Sequence, residues 1–214
     1  MSGLLPSKLY SVAAVRALDA AAIAGGIPGL TLMQRAGEAA WRVLLRRWPQ
    51  AARVAVVCGP GNNGGDGYVL AGAALRAGRK VTLVEVGDLR TSAADAQAAR
   101  AAALAAGVTP RRELGLLAGA DVVVDGLFGI GLRTAPTGEF AAAIAAVNAS
   151  GAPVLALDVP SGLDADTGHA PGAVVRAAVT VTFIGLKRGL VTGLAADYVG
   201  ALEFADLDVP PVVY

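Results

Sequence analysis

From Arg53 onward the chain alternates short β-branched runs with alanine-rich windows, and this alternation restricts the fold more than any other feature. Short apolar runs without polar alternation mark strands buried on both faces, as parallel strands are between crossover helices. The pattern predicts strands at residues 54–57, 81–86, 122–125, 154–157 and 179–183, with 201–205 as a last edge strand. Helices are predicted at 67–77, 91–106, 112–117 and 139–149, and right-handed crossovers then place helices on both faces of one sheet. Ahead of the sheet, Ser11 is expected to cap a helix that Gly25 and Gly26 stop. A second helix, capped by Thr31 and ended by Pro49, would turn Arg42, Arg46 and Arg47 to solvent.

Composition sets the limits on partners. With 55% hydrophobic residues the 214-residue chain is no disordered polymer, and its length suffices for one core without metal or disulfide staples. We read it as a single domain, residues 1–214. A net charge of +1 offers no field to gather nucleic acid or an anionic membrane, so any anion must be held by a local site. The mean hydropathy of +0.57 raises the membrane question. The longest uncharged stretch, 140–157, answers it: Asn148, Ser150, Gly151 and Pro153 interrupt it, and no span is expected. The single Cys58 sits in an apolar run, which fits a reducing, cytoplasmic setting and a small buried hydrophobe rather than a nucleophile.

The unusual residues fall where strands end, which is where open parallel sheets bind ligands. Residues 58–67, Cys-Gly-Pro-Gly-Asn-Asn-Gly-Gly-Asp-Gly, follow the first of these strands. A glycine-rich turn entering a helix can aim backbone N–H groups at a phosphate, and Asn62, Asn63 and Asp66 add polar side chains. Gly59, Gly61 and Gly64 also match the dinucleotide-binding glycine pattern, with Glu85 at the distance of a ribose-binding acid. A tight structural turn would leave the same trace. Asp125 and Asp158 end two further strands, each before a Gly- or Pro-containing turn, as site carboxylates or as loop-holding caps. Asn, Asp and Ser oxygens without a Cys or His cluster suit a hard cation rather than zinc. Lys187 follows the 179–183 strand as an anion-binding or catalytic group, or as a surface lysine, and His169 is expected in an exposed loop.

Four segments together resemble the YjeF N-terminal domain family, the NAD(P)H-hydrate epimerases: 59–67, 124–132 (Val-Asp-Gly-Leu-Phe-Gly-Ile-Gly-Leu), 157–164 (Leu-Asp-Val-Pro-Ser-Gly-Leu-Asp) and 182–190 (Thr-Phe-Ile-Gly-Leu-Lys-Arg-Gly-Leu). Residues 27–37 resemble the start of the family's N-terminal helix. The resemblance implies a three-layer αβα Rossmann-like fold with a mostly parallel sheet. It implies an enzyme that interconverts the R and S forms of hydrated NADH or NADPH. It further implies a potassium ion held by Asn63, Asp125 and Ser161, and substrate contacts from Asn62, Asn63, Gly64, Gly65, Asp66, Gly129, Ile130, Gly131, Leu132, Arg133, Thr134, Ala135 and Asp158. A homodimer through the N-terminal helices, and a dehydratase partner either fused or separate, are implied as well.

The substrate supplied by the resemblance carries a hydroxyl on the carbon beside the ring nitrogen. The nitrogen lone pair can expel that hydroxyl as water once an acid protonates it, and water can then return to either face of the iminium. Asp158 is the expected proton carrier, acting as acid and then base, with Lys187 as a second catalytic group. Two other classes compete. An NAD(P)-dependent oxidoreductase would use the glycine pattern and Glu85, yet no hydride-transfer acid is evident. A YjeF-type binding module without catalysis would not need the retained acids.

Overall fold

The computed structural model describes residues 5–132 and 134–214. The N-terminal segment holds a two-residue strand β1 (Leu9–Tyr10), helix α1 (Val12–Ala24) and helix α2 (Gly29–Arg47). There follow β2 (Arg53–Cys58), α3 (Asn62–Arg76), β3 (Lys80–Glu85), α4 (Ala94–Ala105), β4 (Pro110–Arg111), β5 (Val122–Gly126), α5 (Gly138–Ala149) and β6 (Val154–Leu157). The chain ends with β7 (Val179–Phe183), β8 (Leu186–Lys187) and β9 (Ala201–Ala205). Seven strands form one wholly parallel sheet in the order β4-β3-β2-β5-β6-β7-β9, and β1 pairs with β8 in a separate parallel ladder.

Alternation along β2 sorts its side chains between two cores. Val54, Val56 and Cys58 join the core that α1, α2, α3 and α4 cover, while Ala55 and Val57 join the one built on α5 through Ala143, Ile144 and Val147. The result is three layers, as expected. A third cluster, including Val159, Leu163, Leu186 and Leu190, packs the long connections after β6 and β7 and so fixes β8 in place. Among the described residues no single helix is long and apolar enough to cross a membrane.

The six predicted strands are present within a residue at each end. The differences lie in helix starts. Ser11 caps α1 by accepting from the Ala14 N–H, but α2 starts at Gly29 behind Pro28 rather than at Thr31. α3 begins five residues early, at Asn62, so most of the expected loop is helix. Helix propensity opposes this, but close packing overrides it. A Cβ on Gly64 would stand 2.1 Å from the Gly59 carbonyl oxygen, and one on Gly65 would stand 2.4 Å from Met33 Sδ and 3.2 Å from the Ala96 backbone. The predicted 91–106 helix is a single 3-10 turn, Leu89–Thr91, followed by α4, because Asp88 caps that turn. Instead of a 112–117 helix there is the short edge strand β4 and a 3-10 turn at Leu114–Leu117. Arg46 and Arg47 are not merely solvated: both bind Glu203 on the edge strand β9, at 2.6 and 2.8 Å.

Candidate active site

The strand order reverses between β2 and β5, and the polar residues gather at that switch point, beyond the carboxyl ends of the strands. Here a cleft of about 530 Å³ opens. α3 contributes Asn62, Asn63 and Asp66, the turn after β5 contributes Gly129, Ile130 and Gly131, and β6 and β8 contribute Asp158 and Lys187. α1 covers one side with Val15, Arg16, Asp19 and Ile23.

Lys187 is 1% exposed, the most deeply buried cation among the described residues. Its ammonium donates to Asp158 Oδ1, to Thr182 Oγ1 at 3.0 Å and to the Phe183 carbonyl at 2.8 Å, which uses all three of its protons. β8 holds it there by pairing with β1, Tyr10 opposite Lys187. Asp158 itself sits at φ 64°, in the left-handed region where Asp is tolerated better than most residues, and Ile184 is held at φ 63°. A β-branched residue in that region is strained by about 1–3 kcal/mol, and the two strained positions flank the ion pair on the adjoining ends of β6 and β7.

Beneath the cleft, Asp125 is completely buried at the end of β5 and accepts from Ser161 Oγ at 2.6 Å, from the Ser161 N–H at 2.8 Å and from the Leu127 N–H at 3.2 Å. Burial pushes its carboxyl up to about 6, against the lowering effect of those hydrogen bonds. Asn63 Nδ2 donates to the Phe128 carbonyl at 2.9 Å and the Phe128 N–H donates to Ser161 Oγ at 2.9 Å, which brings the Asn63, Asp125 and Ser161 side chains around one point. Asn63 Oδ1 is buried there with no donor among the described residues. An orphaned amide oxygen next to a carboxylate, a hydroxyl and a backbone carbonyl is a donor set for a hard cation.

Two carboxyls in the cleft behave differently from the rest. Burial, with the Asp158 charge second, raises Asp19 to about 6, while Lys187 opposes the shift. Asp66 is raised well above the usual range by burial, then by Asp158 and Asp19. Asp19 was not anticipated from the sequence; the only signal was an acid on an otherwise alanine-rich helix.

Other expectations are relocated. Gly64 and Gly65 face the helix packing rather than the cavity lining, with N–H groups bonded to the Gly61 carbonyl. Neither has positive φ. Leu132, Thr134 and Ala135 continue the 129–135 turn beyond the residues that line the cleft, and Arg133 lies outside the described residues. Glu85 is not free for a ribose: Tyr68 Oη donates to it at 3.1 Å and Arg100 at 2.6 Å. Cys58 is buried, and burial together with Glu85 pushes its thiol up, away from nucleophilic character. His169 is exposed, as expected.

A parallel sheet with a polar cleft at its switch point and a helix N-terminus at the rim defines a Rossmann-like class of domain. Comparison with known proteins narrows this. The family model described as YjeF-related protein N-terminus matches residues 29–189, and the chain belongs to that family. It is 46% identical over 196 residues to the bifunctional NAD(P)H-hydrate repair enzyme Nnr of Coxiella burnetii, covering 91% of this chain and 40% of that protein. It is 40% identical over 181 residues to the NAD(P)H-hydrate epimerase of Limosilactobacillus fermentum, covering 85% of this chain and 87% of that one. The chain thus spans less than half the length of the bifunctional relatives and nearly all of the epimerase. The crystal structure of a yeast protein, YNL200c, shares the fold with a TM-score of 0.83 at 20% identity, covering 96% of this chain and 91% of that one.

Proposed function

We propose that this chain is an NAD(P)H-hydrate epimerase that interconverts the R and S forms of hydrated NADH and NADPH. The observation that carries the reading is the 40% identity to a protein of that name over nearly its whole length. The cleft supports it chemically. The N–H groups of Asn62 and Asn63 lie in the first turn of α3, where they and the helix dipole would take the substrate's phosphates. The 129–135 turn and Asp66 would line the rest of the dinucleotide, with Gly64 and Gly65 shaping the helix that presents them. Asp158, locked by Lys187 and by its own backbone, holds a negative charge at a fixed place in the cleft. Such a carboxylate favours the iminium formed when the hydroxyl departs, because it needs no reorganisation as positive charge develops on the ring.

A monovalent ion, potassium as the family implies, fits the donor set of Asn63, Asp125, Ser161 and the Phe128 carbonyl. When bound it supplies positive charge beneath the phosphate-binding rim. Asn63, Asp125 and Ser161 would meanwhile tie the starts of three loops together. A homodimer, and a dehydratase acting on the product either as a fused region or as a separate protein, complete the reading. The single buried Cys58 agrees with a cytoplasmic, reducing setting. The rival oxidoreductase reading loses its ribose acid, since Glu85 is engaged by Arg100 and Tyr68.

The test is direct: purified protein is mixed with the R-hydrate and the S form is followed by chromatography against the uncatalysed exchange. Asp158→Asn should lower the rate by about 10²–10³-fold, the scale of losing one preorganised electrostatic contact. A wild-type protein that does not exceed the background overturns the reading.

A further inference from the structure

We propose that Asp19 of α1 and Asp66 of α3 are the two proton-transfer groups of this cleft, each serving one face of the substrate ring. The proposal rests on the epimerase reading and goes on to name the groups that move protons in it. Glu85 and Asp125 are buried with both oxygens taken by donors, from Tyr68 and Arg100 and from Ser161 and Leu127. Asp158 has Oδ1 held by Lys187, and its Oδ2 receives no hydrogen bond from any described residue. Asp66 is buried, lines the cleft and has no donor from any described residue on either oxygen. Asp19 lines the same cleft, half-buried, and has no such partner either.

The orientation of α1 strengthens the case. Its only charged residues are Arg16, exposed at the cleft mouth with its guanidinium 3.4 Å from the Ile130 carbonyl, and Asp19, half-buried in the lining, while Ala13, Ala17, Ala20 and Ala24 face solvent. A surface helix ordinarily turns its acids to water, and α1 turns Asp19 inward instead. Asp158, with its Oδ1 held by the Lys187 ammonium, is suited to fixed electrostatic support. The unpartnered pair is suited to gaining and losing a proton, and burial raises both above the usual carboxylate range. The other charged groups facing them are Arg16, Asp95, Asp158 and Lys187.

Inversion at one carbon needs a proton donor on the face that water leaves and a proton acceptor on the face that water enters. In one direction a protonated carboxyl of the pair gives its proton to the hydroxyl. The C–O bond breaks, its electrons depart with the water, and the ring nitrogen lone pair closes the C=N bond. A second water attacks from the opposite face and returns the C=N electrons to nitrogen. The ionised carboxyl on that side takes its proton. The roles exchange for the reverse direction, and the pair resets through solvent.

The experiment follows oxygen exchange and inversion separately. Wild type, Asp19→Asn and Asp66→Asn are incubated with each epimer in oxygen-18 water, the epimers are separated, and label is read by mass spectrometry against an enzyme-free control. Wild type should interconvert and label both. Each variant should lose interconversion by about 10²-fold or more. Each should still label one epimer through its surviving carboxyl, and the two variants should label opposite epimers. Variants that interconvert like wild type, or that lose labelling of both epimers while remaining folded, overturn the pair and leave the epimerase reading intact. A wild type that neither labels nor interconverts overturns both. Should Asp66→Asn fail to fold, Asp19→Asn decides alone: one-sided labelling supports the pair, and two-sided or absent labelling overturns it.

Discussion

Replacing Lys187 with methionine isolates what the buried ion pair does for the fold. Methionine nearly matches the length of the stem but removes the ammonium, and with it every donor that reaches Asp158 closer than 3.4 Å. Asp158 would then remain 9% exposed with only long contacts from Thr182 Oγ1 and the Phe183 N–H. The Phe183 carbonyl would lose its 2.8 Å donor. Breaking a buried pair from one side costs about 3–5 kcal/mol, because the remaining charge is left uncompensated. In a domain of this size about 1 kcal/mol moves Tm by ~2–4 °C, so the expected loss is ~6–20 °C. Thermal and urea unfolding followed by circular dichroism measure it. Adding Asp158→Asn to Lys187→Met should restore a large part of the loss, since Asn also tolerates the left-handed backbone at this position. The reasoning is refuted by a single variant within 1 kcal/mol of wild type, or by a double-mutant cycle with coupling below about 0.5 kcal/mol.

Other expectations follow from the same structure. Wild-type protein should melt higher in potassium chloride than in tetramethylammonium chloride of equal ionic strength, by about 2.7 kcal/mol when the ion stands at 100 times its Kd, and Asn63→Ala should erase the difference. Equal melting in both salts would remove the cation from the account. Gly65→Val should destabilise by about 1–3 kcal/mol, because its side chain would strike Met33 and Ala96 across the α2–α3–α4 contact, and Met33→Ala should relieve part of that. Unchanged stability would mean that the helices can part at no cost. Asp19 has a folded pKa of about 6 above its unfolded 3.8, so the stability it adds is complete below pH 3.8 and is lost as pH rises through about 6. Wild-type Tm should therefore slope downward across that window more steeply than the Tm of Asp19→Asn, and parallel slopes would contradict the burial of this carboxyl.

The strands were legible because burial on both faces leaves short runs dense in β-branched residues, as in the Val-Val-Val start of Val122–Gly126 and the Val-Thr-Val-Thr of Val179–Phe183. The acids at strand ends were legible for the complementary reason: Asp125 and Asp158 break such runs where only a cap or a site can use them. The start of α3 was not, since glycines read as loop when the partner that excludes a Cβ, Met33 or the Gly59 carbonyl, lies far off in the sequence. Glu85 failed in the same way. Its spacing fitted a ribose, but Arg100 reaches it from α4 and the sequence carries no mark of that contact.

Asp19 shows the limit most sharply. On a helix that is mostly alanine, apolar periodicity gives no preferred face, so nothing local tells whether one acid turns to solvent or inward. What orients α1 is remote: the Val12 N–H donates to Asp166 at 3.0 Å, and β1, just before α1, pairs with β8. The segment that carries Lys187 therefore also anchors the helix that carries Asp19. Through that one short ladder the chain fixes its N-terminal acid in a cleft that α1 and α2 share with the helices and strand-end turns that follow Arg53. A variant that breaks the ladder, such as Tyr10→Pro, which removes a backbone donor from β1, should disturb Lys187 and Asp19 together. Its Tm should fall and lose the Asp19-dependent pH slope at once. If the slope survives the loss of the ladder, α1 is oriented by its own packing on Val15 and Leu18 instead.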